Sequence, residues 1–210
     1  MVFLKVCGIT GPEDARAAAG SGADAIGLLF TESPRRIGVG RAREISAALP
    51  PGVAKVGVFV NASVKEVLST AREAGLDYAQ LHGEETPRTV AEIREGGVRV
   101  IKALRVRDES SLVLIRDYAA DLYLLDSWSK EARGGTGERF QWGLAERVRG
   151  YDNILISGGI TPENVGEALE FFEPYGVDAS SSLEQAPGEK DDERVRRFVS
   201  AARSAAKSRG

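Results

Sequence analysis

The 210-residue sequence predicts a single closed (β/α)8 barrel spanning residues 1–210. Three observations lead there. Eight short apolar runs recur along the chain, each followed by a segment patterned as a helix. Most of these runs are continuously apolar rather than alternating, as suits parallel strands covered on both faces. No linker, low-complexity tract or shift in composition interrupts the series, and no Gly-x-Gly-x-x-Gly follows the first run, which weighs against an open doubly wound sheet.

The strand candidates, in order, are Val2–Cys7, Ala25–Phe30, Ala54–Val60, Tyr78–Leu81, Val98–Ala103, Leu122–Asp126, Ile154–Ser157 and Gly176–Asp178. A first helix opens at Pro12-Glu13-Asp14-Ala15, with Thr10 placed to cap it and acids in its first turn. Arg41–Leu49 is the second. Ser63–Ala74 starts with a capping serine and carries Glu66 three residues on, a capping box. Thr86–Gly96 pairs a proline at its start with a glycine at its end. Asp108–Tyr118, Gly143–Arg149, Thr161–Phe172 and Asp191–Lys207 complete the series. The last presents Val195, Phe198, Val199, Ala202 and Ala206 on one stripe.

Composition excludes several classes of function. A net charge of −3, from 28 basic and 31 acidic residues interspersed along the chain, leaves no electrostatic footprint for nucleic acid. A single cysteine forms no internal disulfide, and the start of the chain lacks a basic leader followed by a long apolar core. No apolar run approaches the roughly 20 residues that span a bilayer. These features predict a cytoplasmic globular protein with no membrane partner.

In such a barrel the chemistry stands at the C-terminal ends of the strands. The first run ends in Cys7-Gly8. A lone cysteine is most often a small buried hydrophobe, but a thiolate at a strand tip acts as base or nucleophile. The sixth run ends in Asp126, across the mouth from the first; a partly desolvated acid there donates a proton, although a carboxylate at a strand end also caps helices and pairs with cations. Gly158-Gly159 follow the seventh run and open a helix, and Ser180-Ser181 follow the eighth, the place where phosphates bind in barrels of this kind. Arg35 suits a second anionic group through a bidentate fork, and charge alone does not choose between it and Arg36. The fourth run carries Gln80 and the only histidine, His82, and the fifth carries Lys102. One histidine without a carboxylate or cysteine cluster predicts no metal site. Gly134-Gly135-Thr136-Gly137, in a long connection after the sixth run, suits a loop that closes over a ligand.

Taken in order, Lys5-Val6-Cys7-Gly8-Ile9-Thr10, Ser33-Pro34-Arg35, Gln80-Leu81-His82-Gly83, Ile101-Lys102-Ala103, Leu125-Asp126, Gly134–Gly137, Ser157-Gly158-Gly159-Ile160 and Val177-Asp178-Ala179-Ser180-Ser181 resemble the phosphoribosylanthranilate isomerase family of tryptophan biosynthesis. The resemblance covers essentially the whole chain. It implies an Amadori rearrangement of N-(5′-phosphoribosyl)anthranilate to 1-(2-carboxyphenylamino)-1-deoxyribulose 5-phosphate without a cofactor. It makes Asp126 the general acid that opens the ribose ring and Cys7 the general base that removes the C2′ proton. Arg35 then holds the anthranilate, with Gln80, His82 and Lys102 as further substrate contacts, and Gly158, Gly159, Ser180 and Ser181 hold the phosphate. The expected partner is a small phosphorylated substrate, and the expected assembly a monomer or homodimer.

Three positions depart from the family pattern. Ser182 replaces a common glycine at the end of the phosphate turn, and serine tolerates positive φ poorly. Gln141 replaces a common aspartate before Trp142. Gly38-Val39-Gly40 suggests a more flexible connection after Arg35. Rival functions fit less well: a sugar-phosphate epimerase needs metal-ligating histidines on several strands, an indole-forming synthase needs a lysine acid and a longer N-terminal extension, and a non-catalytic phosphate-binding subunit needs neither Cys7 nor Asp126.

Overall fold

The computed structural model describes residues 2–106, 114–127 and 151–207. Eight parallel strands close into a ring in sequence order: β1 (Phe3–Cys7), β2 (Ala25–Leu29), β3 (Ala54–Phe59), β4 (Tyr78–Leu81), β5 (Arg99–Val106), β6 (Leu122–Ser127), β7 (Ile154–Ser157) and β8 (Gly176–Ala179). Closure is made where β1 pairs with β8, placing Lys5 beside Asp178. The described helices are α1 (Pro12–Ser21), α2 (Val39–Ala48), α3 (Val64–Ala74), α4 (Pro87–Glu95), α5 (Val165–Phe172) and α6 (Asp192–Lys207).

The pleat divides each strand into an inward and an outward row. Inward residues Ala25, Val56, Tyr78, Ile101, Leu124 and Leu155 fill the lower barrel as one apolar plug. Outward residues such as Leu4, Val6, Ile26 and Leu28 pack against Ala15 and Ala18 of α1, Ile45 of α2 and Phe198 of α6. Both rows of most strands are therefore apolar, which explains the continuous runs. At the C-terminal strand ends, above the plug, the inward row turns polar at Cys7, Gln80, Asp126 and Ser157.

Local signals place several elements as expected. Ser63 caps α3 by accepting from the Glu66 N–H, and Thr86 caps α4 by accepting from Thr89 N–H with Pro87 at the first position. Thr10 does not cap α1. The N-cap is Gly11, with no side-chain bond, and the Thr10 hydroxyl instead donates to the Gly188 carbonyl at 2.6 Å. That bond reaches an unpredicted hairpin, β9 (Glu184–Ala186) and β10 (Glu189–Lys190), lying between β8 and α6. The Gly38–Gly40 stretch is not an open connection either: Gly38 is the N-cap of α2, which starts at Val39, two residues before the expected Arg41. Of the helix expected over Asp108–Tyr118, the described part is a 3-10 turn, Leu114–Asp117. The expected helix Gly143–Arg149, the Gly134–Gly137 loop and Gln141 lie outside the described residues.

Candidate active site

A cavity of about 270 Å³ opens at the C-terminal ends of the strands, directly above the apolar plug. Cys7, Arg35, Gln80, His82 and Asp126 line it, together with Gly158, Gly159, Ser180 and Ser181. Of the sequence-predicted residues in the described chain, one is missing: Lys102.

Lys102 is absent because of register. Ile101 and Ala103 point into the barrel, so Lys102 points outward. Its ammonium is buried, 2.6 Å from Glu85 and bonded to the carbonyls of Gly83 and Leu81. Glu85 also accepts backbone N–H bonds from Asn61 and Gly83. The pair therefore staples the β4–β5 end of the barrel from outside the cavity.

Cys7 stands on the inward row of β1, and Gly27 of β2 is its register partner. A methyl group on Gly27 would lie 2.5 Å from Cys7 Sγ, so the missing side chain there is the space the sulfur occupies. Gly8 follows at φ +82°, a conformation that L side chains rarely adopt, and a Cβ there would meet Arg35 Cδ at 2.6 Å. The Cys-Gly pair thus sets the thiol and lets the Arg35 stem cross beside it.

Arg35 makes the expected fork, but onto the protein. Nε and Nη2 donate to the two oxygens of Glu184 at 2.7 and 2.6 Å. Glu184, from the hairpin, also takes Lys190 Nζ at 2.8 Å. Burial pushes the Glu184 carboxyl up, but the bonds from Arg35 and Lys190 outweigh it and hold the group below its ordinary range. The result is a tied cationic corner: two cations share one carboxylate.

Opposite, Gln80 Nε2 donates to His82 Nδ1 at 3.1 Å, which leaves His82 Nε2–H to donate to Asp126 Oδ2 at 3.1 Å. Gln80 Oε1 is buried and has no hydrogen-bond partner among the described residues. Asp126 is about one-third exposed, its carboxylate open to the cavity.

The anion end is built from two turns. Gly158 and Gly159 adopt φ +83° and +70°. Asn164 pins them, its amide donating to the Gly159 carbonyl at 2.8 Å while its oxygen accepts from Thr161 N–H. Ser181–Leu183 form a 3-10 turn, and Ser182 has no positive φ, so the expected strain is absent. Its hydroxyl donates to the Ile160 carbonyl at 2.5 Å and ties the two turns together.

A family model described as N-(5′-phosphoribosyl)anthranilate (PRA) isomerase matches residues 4–201. The chain belongs to the PRA isomerase family. A PRA isomerase of Rubrobacter xylanophilus is 64% identical over 206 residues, covering 97% of this chain and 100% of the relative. The crystal structure of the Thermotoga maritima PRA isomerase superposes with a TM-score of 0.90 at 40% identity, covering 97% and 100% of the two chains. Another PRA isomerase structure, solved in complex with reduced 1-(o-carboxyphenylamino)-1-deoxyribulose 5-phosphate, matches at TM-score 0.86 and 37% identity, again over 97% and 100%. As in those barrels, the sheet of this PRA isomerase family member is a closed ring of eight.

Sequence reasoning about this PRA isomerase fold placed Asp178 at the end of the eighth strand without a role, and missed the pairing of three charged residues around the cavity, Lys5, Glu184 and Lys190. Two had signals. Lys5 shares the inward row with Cys7 two residues away, and Pro187-Gly188 between short runs marks a hairpin turn. Among the described residues no group of three His, Cys, Asp or Glu is arranged to hold a metal, and no helix is long and apolar enough to cross a membrane.

Proposed function

We propose that this cavity isomerises N-(5′-phosphoribosyl)anthranilate to 1-(2-carboxyphenylamino)-1-deoxyribulose 5-phosphate, with Asp126 as general acid and Cys7 as general base. The observation that carries this reading is that both residues wall one cavity, with an anion-type pair of turns at one side and a cationic corner at another. The substrate has a phosphate, a carboxylate and, between them, the atoms that exchange protons.

Asp126 protonates the ribose ring oxygen, the C1′–O bond breaks, and the anilinium Schiff base forms. The resulting carboxylate is received by His82 Nε2–H, the bond present at 3.1 Å. Cys7 then removes the C2′ proton. The C–H electron pair moves into the C1′–C2′ bond, giving an enolamine that tautomerises to the ketone. Gly158, Gly159, Ser180 and Ser181 hold the phosphate, and Arg35, steadied by Glu184, meets the anthranilate carboxylate. Gln80 Oε1, buried and without a partner among the described residues, accepts from a substrate N–H or O–H. The reaction is cytoplasmic, and the working unit a monomer or homodimer; one Thermotoga maritima relative is described as dimeric.

The test is an anthranilate-fluorescence assay on freshly generated substrate. Cys7→Ala and Asp126→Asn each abolish turnover while a reduced product analogue still binds; full activity in either variant sinks the assignment. Arg35→Ala weakens anthranilate-bearing ligands far more than inorganic phosphate, and equal losses refute its role.

A further inference from the structure

Two buried charged groups of the hairpin take no part in the proton transfers: Glu184 on β9 and Lys190 on β10. Neither lines the cavity, yet each bonds to a residue that does. Glu184 takes Nε and Nη2 of Arg35 at 2.7 and 2.6 Å, so the side edge of the guanidinium is filled. A guanidinium is planar, with its donors in a fixed fork. The edge that Arg35 can still offer a ligand is the end edge, Nη1 with the outer hydrogen of Nη2. Glu184 therefore decides which way Arg35 faces.

Lys190 acts on the other end of the site. Its ammonium reaches Glu184 at 2.8 Å and also donates to the Ser180 carbonyl at 3.1 Å. The same carbonyl accepts from Leu183 N–H at 3.1 Å. In a trans peptide the C=O and the following N–H point in opposite directions. A grip on the Ser180 carbonyl from the hairpin side thus turns the Ser181 N–H the other way, and Ser181 walls the cavity. The Ser180 hydroxyl donates to the Cys7 carbonyl at 3.1 Å, which fixes the same turn to β1. The hairpin itself is clamped from two sides. On the α1 side, Thr10 donates to the Gly188 carbonyl at 2.6 Å, and Asp14 accepts from Lys190 N–H at 3.2 Å. On the α6 side, Arg194 Nη1 donates to the Glu184 carbonyl at 2.6 Å.

We propose that the Glu184–Lys190 pair is a gauge: it sets the span between the end edge of Arg35 and the Ser180–Ser181 turn, and so selects ligands that carry a carboxylate and a phosphate at that span. Both are positioning residues, acting through Arg35 and through the turn. The proposal rests on the reading of Arg35 as the carboxylate holder and of the serine turn as a phosphate holder. The span is stiff because it runs through charge-assisted bonds, from guanidinium to carboxylate to ammonium to carbonyl.

The test is calorimetric binding of three compounds: reduced 1-(o-carboxyphenylamino)-1-deoxyribulose 5-phosphate, the same compound without its carboxyl, and the same compound without its phosphate. Glu184→Gln/Lys190→Met removes both charges of the buried pair together, so neither is left facing an empty partner site. In this variant the two-ended compound should lose about tenfold or more in affinity relative to each one-ended compound, the scale of one hydrogen bond to a charged group. Lys190→Gln, which can still donate to the Ser180 carbonyl, is the second variant and should fall between it and wild type. An equal loss for all three compounds, as a merely structural role would give, overturns the proposal. So does a folded double variant that binds the two-ended compound as wild type does. Arg35→Ala is measured with the same compounds. If it weakens the carboxyl-free compound as much as the two-ended one, Arg35 does not read the carboxylate, and that failure is told apart from failure of the gauge.

Discussion

Replacing Gly27 by alanine should damage catalysis without touching a polar group. The added methyl would stand 2.5 Å from Cys7 Sγ, 3.1 Å from its Cβ and 3.0 Å from its Cα. Comfortable carbon contacts begin near about 3.5 Å. The sulfur must therefore retreat by about 1 Å. Because the Cys7 backbone is also too close, rotation about χ1 does not relieve the clash, and β1 and β2 must separate locally. Overpacking of this kind costs about 1–3 kcal/mol of stability. A displacement of about 1 Å at a reacting group costs on the order of 100-fold in rate. The assay is the loss of anthranilate fluorescence at saturating substrate, with urea unfolding in parallel. The expected result is a fall in kcat of about 100-fold with KM nearly unchanged, since the phosphate turns and Arg35 are untouched. A folded Gly27→Ala protein with wild-type kcat would refute the placement of the reacting thiol. Gly20→Ala is the control: it is exposed in α1 with no atom of the described residues within 4 Å of an added Cβ, and should gain about 0.5–1 kcal/mol with unchanged activity.

Three further outcomes follow from the ion pairs and turns. Lys102→Met leaves Glu85 buried without its cation, and should cost about 3–5 kcal/mol in urea unfolding while KM stays at the wild-type value; a raised KM with unchanged stability would return Lys102 to the substrate. Glu184 is held below its ordinary value of 4.5, so the stability it contributes is present above that value and is lost as pH falls through the lower folded one. Glu184→Gln should therefore make the acid side of the stability–pH curve shallower, though not flat, because Glu85 is depressed in the same direction; an unchanged slope would contradict the pairing. Ser182→Ala removes the tie to the Ile160 carbonyl and should cost about 1 kcal/mol, with KM for the phosphorylated substrate rising more than kcat falls; an unchanged KM would separate that tie from phosphate binding.

The barrel was readable because its signals are local. Strands buried on both faces must be apolar throughout, and Ser63 and Thr86 announce their helices by bonds made within three residues. The polar tips were readable for the same reason, since Cys7, Asp126 and the Gly158-Gly159 turn each interrupt an apolar run. Lys102 shows the limit of that logic. It also interrupts an apolar run, but one residue of register decides which face it takes, and it faces Glu85. Thr10 shows the same competition at a cap: it had the right chemistry for α1, and a carbonyl on a hairpin remote in sequence captured it.

What could not be read is the electrostatics of the mouth, and ring closure is the reason. Lys5 and Asp178 are 173 residues apart and meet only because the last strand pairs with the first. Arg35 and Glu184 are 149 residues apart and meet across the same seam. No spacing rule links such residues, because the sheet must close before their charges interact. Both seam contacts flank Cys7: one pair lies beneath it on β1 and β8, and the other beside it where Gly8 lets the Arg35 stem pass. The thiol therefore acquires its surroundings at the one step of assembly that joins the two ends of the sheet. Before closure Cys7 is a small side chain on a strand end; after closure it stands on a cavity wall flanked by the Lys5–Asp178 pair on β1 and β8 and by the Arg35–Glu184 pair.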